Sequence, residues 1–231
     1  MSRRKIILLS CFVVAATLLF LLWSKYRFVF NAQPALSNKN YSLTLDSVRM
    51  VRKKLYKEKA SAQVLEKKFI ALMNTKIFPY WYGTKWDFYG TTQKPNEGSI
   101  ACGYFVTTTL RDVGIPINRT KMAQCASEEM IRSLASKKYI QTFSGMDIKE
   151  FEKRLIKSGK GLYVAGLDKH TGFILISSEG NYFIHSTGIF PFQVVKDKLT
   201  ESPLMVASKY RVTGKISADE GFLKRWVENG Q

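Results

Sequence analysis

The chain has 231 residues, 45% of them hydrophobic and 13% aromatic, which is enough for one medium-sized domain with appendages and excludes general disorder. Its 36 Lys and Arg against 18 Asp and Glu give a formal charge of +18, suited to polyanionic surroundings such as nucleic acid, anionic lipid or an acidic cell-wall polymer. The basic residues are spread along the chain without an arginine-rich recognition helix or Gly-aromatic RNA-binding motif, so the charge reads mainly as surface adaptation and argues against a nucleic-acid role.

At the N-terminus, Arg3-Arg4-Lys5 precedes an uninterrupted apolar run over residues 6–23, followed by Ser24-Lys25-Tyr26-Arg27. About 20 apolar residues cross the hydrocarbon core of a bilayer, and the leading charges favour an N-inside orientation. Residues 1–28 are therefore expected to be an uncleaved signal anchor, with everything after Trp23 extracytoplasmic. A cleavable signal peptide is the rival, but no small-x-small site closes the run. Leu8-Leu9-Ser10-Cys11 superficially resembles a lipoprotein signal, yet the apolar stretch before Cys11 is too short. With Cys11 in the membrane segment, Cys102 and Cys125 remain outside, where an oxidising compartment could join them as a disulfide.

Residues 29–45 read as a stalk. Residues 46–75 turn helical: Val48, Val51 and Leu55, then Val64, Leu65, Phe69 and Leu72, recur at helix spacing with lysines between them. This segment is expected to pack on the domain with a solvated lysine face, and could also lie near an anionic membrane. The domain proper is expected over residues 76–231. Its aromatic opening, Phe78 to Gly90, has no helix period and reads as a loop lining either core or groove. A polar turn-rich loop, Thr91 to Gly98, follows.

Ser99 can cap a helix over residues 101–113, ended by Gly114 and Pro116, although three consecutive threonines prefer strand. Further helices are predicted over 121–137 and 147–157. Strands are predicted over 161–167, 170–176, 182–186 and 204–213. A last helix starts at Ser217, where Ser-Ala-Asp-Glu220 forms a capping box. Helices first and strands later predict an α+β domain with helices packed on an antiparallel sheet.

Only two histidines occur, His170 and His185, and both lie in one apolar stretch that reads as a β-hairpin. Cys102 falls at a predicted helix start, where unpaired N–H groups and the helix dipole lower a thiol pKa and can bind an oxyanion. His170 at a strand start could serve as base, and His185 could hold its ring in the productive tautomer. A simple turn around Glu179-Gly180 puts both rings on one face but several residues out of register, so a bulge or twist is expected between them. Bland readings stand beside these: Cys102 as a buried apolar residue, His170 as a solvated turn residue, and His185 as a hydrogen-bonded core histidine. A zinc site from the two cysteines and two histidines is a further rival, but structural zinc usually pairs ligands a few residues apart and none of these spacings does.

In these segments the chain resembles the NlpC-type cell-wall peptidases, papain-like cysteine enzymes that cut peptidoglycan stem peptides. Pro79-Tyr80-Trp81-Tyr82-Gly83 is similar to that family's Pro-Tyr-x-Trp-Gly-Gly segment, and Ile100 through Val106 to its nucleophile helix, usually Asp-Cys-Ser-Gly-Leu-Val. Residues 117–124 resemble its Leu-Pro-Arg-Thr stretch with a following Gln, and the two histidine segments its His-Val-Gly-Ile-Tyr and Phe-Ile-His-Ala. The resemblance covers roughly residues 78–187, in order. It implies a papain-like domain with Cys102 as nucleophile, His170 as base, His185 as orienter and Tyr80 as a hydroxyl near the thiolate or oxyanion. The chain departs from the pattern at Ala101, Gly103 and Thr84, and in two lengthened loops.

The expectation is a membrane-anchored, extracytoplasmic thiol hydrolase of peptidoglycan peptide bonds, needing no metal or organic cofactor. Its partners would be peptidoglycan or another anionic wall polymer, and the membrane through residues 6–23. The alternatives are a non-catalytic binding module with a Cys102–Cys125 disulfide, and a lipid acyltransferase on the same fold.

Overall fold

The computed structural model describes residues 13–19, 36 and 38–229. The chain divides into two units, residues 1–31 and 32–231. In the first, residues 13–19 are helical. The rest of the expected span over 6–23 lies outside the described residues, and no described helix is long and apolar enough to cross a membrane.

The second unit is an α+β fold built on an antiparallel sheet. Helices α1 (Tyr41–Lys57) and α2 (Ala62–Leu72) lead through a π-helical turn, Met73–Ile77, into the short α3 (Phe78–Trp81). A long loop precedes α4 (Cys102–Val113), followed by α5 (Arg119–Gln124) and α6 (Ser127–Leu134). Strand β1 (Ile140–Ser144), helix α7 (Ile148–Lys157) and strands β2 (Gly161–Leu167), β3 (Thr171–Ser177), β4 (Gly180–Ser186) and β5 (Val194–Lys198) follow. Helix α8 (Pro203–Ala207), strand β6 (Tyr210–Gly214) and helix α9 (Glu220–Glu228) complete the unit. Among the described residues the sheet has the order β1-β6-β2-β3-β4-β5, and every neighbouring pair is antiparallel.

Both faces of the sheet are covered, which is why β2 is buried along its whole length. One face (Leu162, Val164, Phe173, Leu175, Ile184, Val212) joins a core with α1 to α4, α6 and α9. The other (Tyr163, Ala165, Ile174, Ile176, Phe183) packs on Phe151 and Leu155 of α7.

Helix α4 accommodates its threonines because their hydroxyls are used locally. Thr107 and Thr109 donate to the carbonyls of Gly103 and Phe105, and Thr108 accepts from Arg119. Gly114 ends the helix at φ +105°, where the Arg52 guanidinium fills the space a side chain would occupy.

Several sequence expectations are corrected. The stalk over 29–45 does not extend to its end: residues 41–45 belong to α1, and Tyr41 is buried, donating to Asp112. The helix over 121–137 is two helices, because Cys125 and Ala126 are extended. The strand over 204–213 is α8 followed by β6, with Pro203 opening the helix. Strands β1 and β5 were not predicted. The last helix is capped by Asp219, which accepts from the Phe222 N–H, while Ser217 serves the Leu162 N–H and Glu66. Ser99 is not the cap of α4; Ala101 holds that position with no side-chain bond.

Candidate active site

Cys102 is the first residue of α4, and its lead-in is held from two sides. From the preceding loop, the Lys85 carbonyl accepts from the Ile100 N–H at 2.9 Å and the Gly90 carbonyl from the Ala101 N–H at 2.8 Å. Gly90 permits this approach, since a Cβ there would stand 2.6 Å from the Ile100 nitrogen. From the sheet, the Ser186 hydroxyl donates to the Ile100 carbonyl at 2.7 Å. Gly103 sits against α5, where a Cβ would meet the Ala123 carbonyl oxygen at 2.4 Å. Glycine at position 103 therefore has a local cause: the two helices touch backbone to backbone.

His170 closes the β2–β3 hairpin, its carbonyl accepting from the Leu167 N–H at 2.8 Å. The Asp168 carboxylate pins this turn to the start of β6 by accepting from the Ser208 hydroxyl and the Lys209 and Tyr210 N–H groups. His170 Nε2 lies 2.8 Å from Nδ1 of His185, with the rings nearly perpendicular. Continuing the β3–β4 register one step past Phe173–Ile184 sets His185 opposite Gly172, so His170 is its diagonal neighbour on the same face. Gly172 leaves the necessary room, since a Cβ there would come within 2.7 Å of His185 Cβ. The expected bulge is unnecessary; a regular register and one glycine suffice.

The pair continues to a residue absent from the sequence-based candidates. Asp197 Oδ2 lies 3.1 Å from His185 Nε2, with His185 1% and Asp197 16% exposed at the side chain. Asp197 pairs with Phe183 and His185 with Val195, so this contact is again diagonal. Only the β4–β5 register reveals it, and β5 itself was not predicted. Phe183 stacks on the His185 ring, 4.2 Å between centroids.

Cys102 and His170 line one cleft of about 710 Å³, walled by Trp86, Phe88, Tyr89, Tyr104, Gln124, Ile189 and Leu204 among others. The backbone N–H groups of Thr171, next after His170, and of Gly103 and Cys102 favour the thiolate form of Cys102. Tyr104 and Gln124, which lie within the resembling segments and are not among the sequence-based site candidates, also line the cleft. Gln124 Nε2 donates to the Tyr104 hydroxyl at 3.1 Å, and Arg119 stacks over the Tyr104 ring.

Tyr80 is a correction. Its hydroxyl bonds the Thr44 hydroxyl of α1 at 2.8 Å and its ring packs on Tyr41; it is not among the described residues of the cleft wall. The π-helical turn and α3 direct it toward α1 rather than toward Cys102. Cys102 and Cys125 are both free thiols, so the disulfide expected by the binding-module alternative does not form. The Cys125 thiol donates to the Met122 carbonyl.

The electrostatics also differ from expectation. Burial pushes the Cys102 thiol above its ordinary value, outweighing the three lowering N–H contacts. Burial first, and the electrostatic influence of the neighbouring His185 second, holds His170 well below the ordinary imidazole range. The resting pair is thus a neutral thiol and a neutral imidazole. Such a pair can act by general-base deprotonation during attack, without a preformed ion pair.

Comparison with family models, with curated proteins and with solved structures finds no match to this chain.

Proposed function

We propose that this chain is a membrane-anchored, extracytoplasmic papain-like cysteine hydrolase that cuts peptide amide bonds of peptidoglycan stem peptides through an acyl-enzyme on Cys102. The observation that carries the reading is a cysteine and a histidine in one cleft, with a second histidine behind the first. Cys102 stands at a helix start, His170 faces the same cleft, and His185 lies 2.8 Å behind His170. The order of segments shared with NlpC-type peptidases supports the substrate class, and the apolar run over 6–23 supports the anchor and compartment.

In this reading the Cys102 sulfur attacks the scissile carbonyl while His170 takes the thiol proton. N–H groups of the first turn of α4 receive the developing oxyanion. His170 then returns the proton to the departing amine, and water, deprotonated by the same imidazole, releases the acyl group. The experiment is peptide mapping of the full-length chain after acid quenching during turnover of purified wall fragments. A stem-peptide adduct on Cys102 is expected; wall-peptide release with Cys102 never modified overturns the proposal.

One observation favours a second reading, acyl transfer on lipids. The cleft mouth carries Phe88 and Tyr89 at 71% and 84% exposure, beside Trp86, Ile189 and Leu204. Exposed apolar surface of this kind suits an acyl chain as well as a peptide side chain. Labelling of Cys102 by acyl-lipid substrates, with wall fragments ignored, would select it.

A further inference from the structure

We propose that Asp197 is a positioning residue that fixes the proton polarity of the histidine pair, and thereby selects Nδ1 of His170 as the base nitrogen. The inference rests on the reading of Cys102 and His170 as nucleophile and base, and extends it to a fourth residue.

The argument is one of donors and acceptors. An ionised carboxylate only accepts, so the His185 Nε2 facing Asp197 Oδ2 at 3.1 Å must carry the proton. A neutral imidazole carries one N–H, so Nδ1 of His185 is then an acceptor. At 2.8 Å from that nitrogen, Nε2 of His170 must donate. Nδ1 of His170 is left with its lone pair, the state required to take a thiol proton. The opposite arrangement would set the His185 Nε2 lone pair against a carboxylate. It would also place the His170 proton on the nitrogen that has to be the base.

Geometry makes Asp197 the residue for this task. It lies on the same sheet face as both histidines, one diagonal step beyond His185, and the stacked Phe183 ring covers the chain of contacts. Its neighbours on β5 are cations with other partners: Lys196 lies over the Tyr182 ring at 4.2 Å, and Lys198 pairs with Glu201 at 3.4 Å. Glu152, on the helix α7 that packs against this face, accepts from Asn181.

The chain contains only two histidines, so the test can be direct. The full-length chain with 15N-labelled histidine gives four ring-nitrogen signals. Both rings are expected as the Nε2–H form, with both Nδ1 atoms unprotonated. An Asn at 197 can donate as well as accept, so Asp197→Asn should move proton population onto Nδ1 of both rings. The second readout is the burst with p-nitrophenyl acetate: the Cys102 sulfur bonds the acetyl carbon, the ester C–O bond breaks, p-nitrophenolate leaves, and His170 takes the thiol proton. Asp197→Asn should slow this acylation by roughly tenfold or more, with its concentration dependence unchanged, since a wrong tautomer removes the base but not the ring. Asp197→Glu should restore part of the rate.

A wild-type spectrum with His185 protonated at Nδ1 overturns the inference, and it decides even where the Asn variant fails to fold. An Asp197→Asn chain with unchanged tautomers and a burst within about twofold of wild type also overturns it. His170→Ala separates the two levels. If that variant keeps its burst, the base reading itself falls; if it loses the burst while Asp197→Asn keeps it, only the role of Asp197 falls.

Discussion

The Ser186 hydroxyl donates to the carbonyl of Ile100 at 2.7 Å, so the residue following His185 holds the segment that delivers Cys102. The residue following His170 acts on the thiol itself, the Thr171 N–H favouring its thiolate form. The hairpin that carries the two imidazoles is therefore also the clamp on the segment leading to Cys102. One piece of sheet thus carries His170 and His185 and holds the segment leading to Cys102.

Replacing Gly172 by Ala should damage both clamp and site. The new Cβ would fall 2.7 Å from His185 Cβ and 2.8 Å from the Ile184 carbonyl oxygen, with backbone on one side. Overpacking of this kind costs about 1–3 kcal/mol. Urea unfolding should show that loss, and p-nitrophenyl acetate acylation should fall with it. Wild-type stability and acylation in Gly172→Ala would mean the diagonal His170–His185 contact does not depend on this gap.

Placing at position 103 the serine usual in NlpC-type peptidases should harm this chain. A Cβ there meets the Ala123 carbonyl oxygen at 2.4 Å, and that oxygen belongs to the α5 backbone. Gly103→Ser should cost about 1–3 kcal/mol by separating α4 from α5. A stabilised or unchanged variant in thermal unfolding would contradict the backbone-to-backbone contact.

The histidine pair should leave a mark on stability in mild acid. His170 folds with its pKa held below the ordinary 6.5, first by burial. As pH falls below that value the unfolded imidazole takes a proton that the folded one refuses, so unfolding gains protons and stability drops. The contribution is fully present above the unfolded pKa and is lost toward the folded one. Urea midpoints measured from neutral pH downward should fall more steeply in wild type than in His170→Gln. Parallel curves would contradict the buried neutral imidazole.

Cys125 should be dispensable. It is a free thiol bonded to the Met122 carbonyl at the end of α5. Cys125→Ser should acylate within about twofold of wild type, whereas Cys102→Ala should give no burst and His170→Ala should lose about 10²–10⁴ of the rate. Non-reducing mass spectrometry should find no Cys102–Cys125 bridge. A fully formed bridge in active material would remove Cys102 as the nucleophile.

The parts of this site that sequence carries are those with local signatures. The stop of α4 was legible from Gly114, although Ser99, the cap expected from sequence, does not cap its start, and the hairpin was legible from its apolar run. What sequence could not carry depends on register between strands. Asp197 becomes a partner of His185 only because β5 lies beside β4 with Val195 opposite His185, and its short polar run, Val-Val-Lys-Asp-Lys, has no strong strand period. Tyr80 failed for the converse reason. Its segment matched a motif, but the direction of its hydroxyl is set by the helical turn before it and by Thr44, which lies 36 residues upstream. The neutral thiol–imidazole pair likewise reflects how deeply both groups are buried, a quantity that a helix-start signal in the sequence does not contain.

The most direct test of the central claim is to digest purified wall material with the full-length wild type and with Cys102→Ala, and to resolve the released fragments by mass. The account predicts new stem-peptide fragments with the wild type and none with Cys102→Ala. Equal fragment profiles from the two proteins would contradict thiol catalysis on that substrate.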